Sequence, residues 1–87
     1  MTGKRCEFTE LELQVLDMGL CGEIQRQNWT VRYMKSERDQ EGLERAKRCH
    51  ATVWNTYMRV CEYRGEIPDP KDVAAAEAVQ RITIKGA

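Results

Sequence analysis

The sequence predicts an all-α fold: a long antiparallel helical hairpin plus a short C-terminal helix, closed as a three-helix or dimeric bundle. Three observations carry this. Apolar residues recur at steps of three and four through residues 10–64. Helix-start and helix-stop signals flank the periodic stretches. Only 2 prolines interrupt 87 residues, both of them close to residue 70. Residues 1–87 read as a single helical domain.

The first helix, α1, is expected over residues 10–35. Thr9 followed by Glu12 is a capping box, and Phe8 with Leu13 forms a hydrophobic staple around it. Gly19 and Gly22 each weaken the helix by up to about 1 kcal/mol relative to alanine, so packing must hold that stretch. Ser36-Glu37-Arg38-Asp39 reads as a turn with Ser36 capping the second helix, α2, over residues 37–64. The absence of proline between Ser36 and Gly42 leaves a bent continuous helix as the alternative. Gly65 supplies the stop. Residues 65–69 form a loop, Asp69 caps the third helix, and Pro70 takes its favoured first position. That helix, α3, is expected over residues 70–84, fading at Ile82-Thr83-Ile84, where β-branched residues can end it as an extended tail.

Placing residues at 100° intervals shows where the apolar faces point. In α1, Leu13, Leu16, Leu20, Ile24, Val31 and Met34 fall within about 80°. A second stripe of Leu11, Val15, Met18, Trp29 and Tyr33, with Gly22 at its centre, occupies about 60° on the opposite side. In α2, Leu43, Ala46, His50, Val53, Tyr57 and Val60 make a coiled-coil-like seam, widened by Trp54, Met58 and Cys61. α3 offers a thin face of Ala75, Ala78, Val79 and Ile82. One helix cannot cover both sides of α1. Either a second chain covers the second stripe, giving a dimeric bundle, or α3 folds back over it in a monomer.

Composition narrows the classes of function. With 41% hydrophobic residues the chain is too apolar for a disordered tail, and with 32% charged residues too polar for a membrane protein. Fourteen basic residues balance fourteen acidic ones, which disfavours a globally basic nucleic-acid binder. No signal peptide or membrane span is read, so the expected compartment is the cytoplasm, or host-cell cytoplasm for a phage- or virus-encoded chain. Cys6, Cys21, Cys49 and Cys61 contain no C-x-x-C, and Cys49 and Cys61 on one helix stand about 18 Å apart, too far for one zinc ion. Free, mostly buried thiols are the expected state, with no metal and no cofactor.

Catalytic candidates are few. His50 adjoins Cys49, but neighbouring helix positions point about 100° apart. A seam histidine bonded to a facing polar group such as Gln27 fits better, and no catalytic residues are assigned. The stronger signal is electrostatic. Residues 45–64 carry Arg45, Lys47, Arg48, Arg59 and Arg64 against the single acid Glu62, and Arg45, Arg48 and Arg59 share one strip of α2. Such a strip suits an anion or nucleic acid; its bland reading is a solvated helix face.

The expected function is therefore a small non-enzymatic protein-interaction module (an adaptor, regulator or inhibitor of a larger protein) that also self-associates as a homodimer. Its partner interface is expected at Leu11, Val15, Met18, Gly22, Trp29 and Tyr33. The alternatives are nucleic-acid binding through Arg45, Arg48 and Arg59, and a purely structural oligomerisation domain.

Overall fold

The structure, a computed structural model, describes residues 7–85. Its elements are α1 (Glu10–Ser36), α2 (Gln40–Arg64) and α3 (Pro70–Gln80), with α1 and α2 packed as an antiparallel hairpin. The capping box is formed: Glu12 N–H donates to Thr9 Oγ1 at 3.1 Å and Thr9 N–H to Glu12 Oε1 at 2.8 Å. α1 then runs unbroken for 27 residues through both glycines.

The hairpin turn differs from the expected one. Ser36 is the last residue of α1, not the cap of α2; that role belongs to Asp39, whose Oδ1 accepts from Gly42 N–H at 2.9 Å. The physical reason lies one residue earlier. Arg38 adopts a left-handed φ of 56°, and around it Arg38 N–H donates to Lys35 O and Asp39 N–H to Met34 O. This paired arrangement satisfies the last carbonyls of α1. Asp39 thus ends one helix with its backbone and starts the next with its side chain, so the turn is only three residues long. Gly65, with φ 70°, closes α2 by the same geometry, its N–H donating to Glu62 O and that of Glu66 to Cys61 O.

α3 begins as expected, with Asp69 accepting from Lys71 N–H at 2.8 Å, and ends at Gln80, short of residue 84 but just ahead of the β-branched run expected to stop it. Residues 82–84 leave the helix, and Ile84 turns into the core. That core joins Val31, Leu43, Ala46, Val79 and Ile84, with Met34 and Ile82 packed against it. It therefore sits at the turn end of the hairpin and is closed by the segment after α3. Polar contacts hold that segment: Lys47 Nζ donates to Ile82 O at 3.0 Å and Arg38 Nη2 to Lys85 O at 2.8 Å. The buried face of α3 is Ala76 and Val79; Ala75 and Ala78, expected to face inward, are exposed.

At the other end the hairpin is a two-helix seam in which Leu13, Val60 and Cys61 are buried. There Arg64 crosses from α2 to α1, its Nη1 2.7 Å from Asp17 Oδ2, while its Nη2 lies 3.3 Å from Glu66.

Candidate interaction surface

The hairpin geometry fixes what α1 shows to solvent. One side faces α2: Leu13 and Val31 are buried, and Leu20, Ile24 and Met34 are half-buried. Leu16, placed on that side by the sequence, is left exposed. The opposite side carries the second stripe uncovered, with Leu11 68%, Val15 62%, Met18 72%, Trp29 64% and Tyr33 44% exposed. α3 does not fold back over it: it packs mainly on α2, and its Val79 meets Val31 on the buried side of α1. From Leu11 to Tyr33 the stripe extends roughly 33 Å. Withdrawing each large side chain from water is worth roughly 1.5–3 kcal/mol when burial is complete.

Two features organise this face. Trp29 and Tyr33, one turn apart, stack with centroids 5.1 Å apart and planes at 8°, making a flat aromatic shelf. Gly22 opens the middle of the stripe: a Cβ built there meets no heavy atom within 4 Å, and the same holds at Gly19.

The basic strip is smaller than the sequence suggests. Of the five cations between residues 45 and 64, Lys47 binds the Ile82 carbonyl and Arg64 binds Asp17 and Glu66. Arg45, Arg48 and Arg59 are exposed on α2. Arg45 to Arg59 covers about 21 Å of helix.

His50 is buried, as a seam residue should be, but its partner is not Gln27, which instead donates to Glu23 at 2.9 Å. Gln80, at the end of α3, places Nε2 3.1 Å from His50 Nδ1 and donates to Lys47 O at 3.0 Å. Both amide protons of Gln80 thus have acceptors, which leaves the ring proton on Nε2. Burial lowers the pKa of His50. Cys49 is exposed, so it and His50 face different ways.

The three helices also line a half-open cavity of about 180 Å³ beside Cys21, Asn28, His50, Trp54, Tyr57 and Asp72. Burial, aided by Asp17, pushes the Cys21 thiol up, away from the thiolate a nucleophile needs. Tyr57 is held protonated by burial and by its hydrogen bond to Cys61. Cys21 and Cys49 are exposed free thiols, against the expectation of burial, whereas Cys61 is buried; Cys6 lies outside the described residues. Among the described residues no cluster of three or more His, Cys, Asp or Glu side chains is placed to hold a metal ion. No helix among them is long and apolar enough to cross a membrane.

Sequence reasoning missed Gln80 and Ile84. Alternation of Ile82 and Ile84 was the available signal, since period-two spacing places both on one side of an extended segment. Neither protein-family models, curated proteins nor solved structures give a match to this chain.

Proposed function

We propose that the protein is a non-enzymatic protein-interaction module that docks a partner helix along the outer face of α1. The observation that supports this reading is the two-sidedness of that helix. One side is covered by α2, while the other leaves Leu11, Val15 and Met18 open to water at one end and Trp29 and Tyr33 at the other, with Gly22, Gln25 and Arg26 between them. Exposed apolar patches of this kind mark sites of association. The aromatic pair at one end suits an anchor, because tryptophan and tyrosine dominate binding hot spots.

A photo-reactive phenylalanine analogue installed at Met18 tests this in cells, with the exposed Thr52 of α2 as the control position. The expected result is a discrete covalent adduct at position 18 that is absent at position 52, identified by mass spectrometry as this chain or another protein. An adduct with this chain alone assigns a purely structural oligomerisation role; one with a larger protein assigns an adaptor, regulator or inhibitor. Equal, diffuse labelling at both positions overturns the reading.

The second reading, nucleic-acid binding, draws on the exposure of Arg45, Arg48 and Arg59. It requires retention of DNA or RNA at low salt that falls steeply as salt rises and is lost in Arg48→Ala/Arg59→Ala.

A further inference from the structure

Resting on the docking face described above, we infer that its occupant is α1 of a second copy of this chain, lying antiparallel and crossing at Gly22. Three independent features of α1 point to this arrangement.

The first is charge. Every acid of α1 (Glu10, Glu12, Asp17 and Glu23) precedes residue 24, and every base (Arg26, Arg32 and Lys35) follows residue 25, with Asp17 already engaged by Arg64 and Glu23 by Arg26 within the chain. A parallel pair would lay acid on acid and base on base. An antiparallel pair sets the acidic half of each helix beside the basic half of the other, and opposes the two helix dipoles favourably. Glu10, Arg32 and Lys35 lie within about 60° of one another around the helix, about 70° (Arg32) to 130° (Lys35) from the centre of the stripe and all to the same side of it. Two-fold symmetry brings like sides together, so Glu10 comes to the height of the partner's Arg32 and the partner's Lys35, within reach of their long side chains.

The second is the symmetry of the stripe. Leu11 and Tyr33 each lie 11 residues from Gly22, and Val15 and Trp29 each lie 7 residues from it. A two-fold axis at Gly22 therefore sets Leu11 against the partner's Tyr33, Val15 against the partner's Trp29, and Met18 against the aliphatic stem of the partner's Arg26. The stacked rings meet aliphatic side chains at both ends, as an isologous interface requires.

The third is the glycine itself. Nothing in the single chain crowds the Cβ positions of Gly19 or Gly22, and glycine weakens a helix interior. A crossing at Gly22 gives the missing side chain a use, because two backbones can approach there without Cβ atoms between them.

The test uses the purified full chain. Light scattering over a dilution series is expected to show a dimer at tens of micromolar that dissociates on dilution. Zero-length carbodiimide coupling is expected to join Glu10 to Lys35; these lie about 38 Å apart along one helix, so the product forms only between copies. Glu10→Lys and Lys35→Glu alone should each weaken the dimer by about tenfold, and the double variant should recover most of the loss. Gly22→Leu should weaken it at least about tenfold while leaving helicity of the dilute monomer equal or higher, which separates loss of association from loss of folding.

A wild-type monomer up to about millimolar concentration overturns the inference, because a seam of this length should self-associate by then. So does a dimer that is indifferent to Gly22→Leu and yields no Glu10–Lys35 product. If the chain is monomeric but Met18 still captures a different protein in cells, the self-pairing fails while the docking face stands.

Discussion

The side-chain nitrogen of Gln80 lies 3.1 Å from Nδ1 of His50, which fastens the end of α3 to the buried middle of α2. The contact needs a neutral imidazole, since a protonated Nδ1 is a donor facing a donor. Burial already lowers the His50 pKa. In the unfolded chain the ring titrates near its ordinary value of about 6.5. Below that pH the unfolded state binds more protons than the folded one, so stability is complete above about 6.5 and is lost as pH falls toward the folded-state pKa. Thermal melts between pH 8 and pH 5 should show Tm falling on the acid side, and His50→Gln should flatten that part of the profile.

Gln80→Ala removes both bonds at once. It should cost about 1–3 kcal/mol, one part from each hydrogen bond lost and the remainder from the unsatisfied His50 nitrogen. Urea unfolding followed by circular dichroism measures it. A loss near zero would mean that water replaces the amide.

Leu43 is fully buried in the core that α3 and residues 82–84 close over. Leu43→Ala should destabilise by about 2–5 kcal/mol, the usual range for emptying a packed site. Leu16→Ala, at a position 37% exposed on the α2-facing side of α1, should cost far less. Paired urea titrations give the ratio directly.

Arg38→Gly should stabilise. A left-handed φ costs a residue with a Cβ roughly 1–2 kcal/mol, and glycine avoids it. Against this stands the loss of the Arg38 bond to Lys85 O on an exposed side chain, about 0.5–1.5 kcal/mol. The reverse change at the other αL position, Gly65→Ala, should destabilise by about 1 kcal/mol or more. Opposite signs at two geometrically matched helix ends are the expected outcome in chemical denaturation.

Thiol labelling should separate the cysteines. Cys61 should resist modification until the chain unfolds, because it is buried. Cys21 should react slowly despite its exposure, since burial of its sulfur and the nearby Asp17 carboxylate disfavour the thiolate. Raising the pH should speed labelling at Cys21, a shift that mass-spectrometric mapping would follow.

Much of the fold can be read from local chemistry. Thr9 and Glu12 start α1 because their bonds close over three residues, and Gly65 ends α2 because glycine advertises a left-handed position. The Arg38 turn is hidden for the converse reason: the same backbone geometry is adopted by a residue with no preference for it. Gln80 and Ile84 are hidden because their partners, His50, Leu43 and Val31, lie more than 29 residues away. The outer stripe of α1 is the opposite case. Its period alone places Leu11, Val15, Met18, Trp29 and Tyr33 together, and the exposed side found in the structure is the side so predicted. Periodicity says nothing of what covers it.

Ile84 lies outside any helix, yet it is 8% exposed and belongs to the same cluster as Val31 and Leu43. Deleting the residues from Ile84 onward should therefore loosen the hairpin near its turn, whereas the loop at Ile67, 91% exposed, should tolerate nicking far better. For anyone labelling the chain, a fluorophore or affinity handle belongs in that loop.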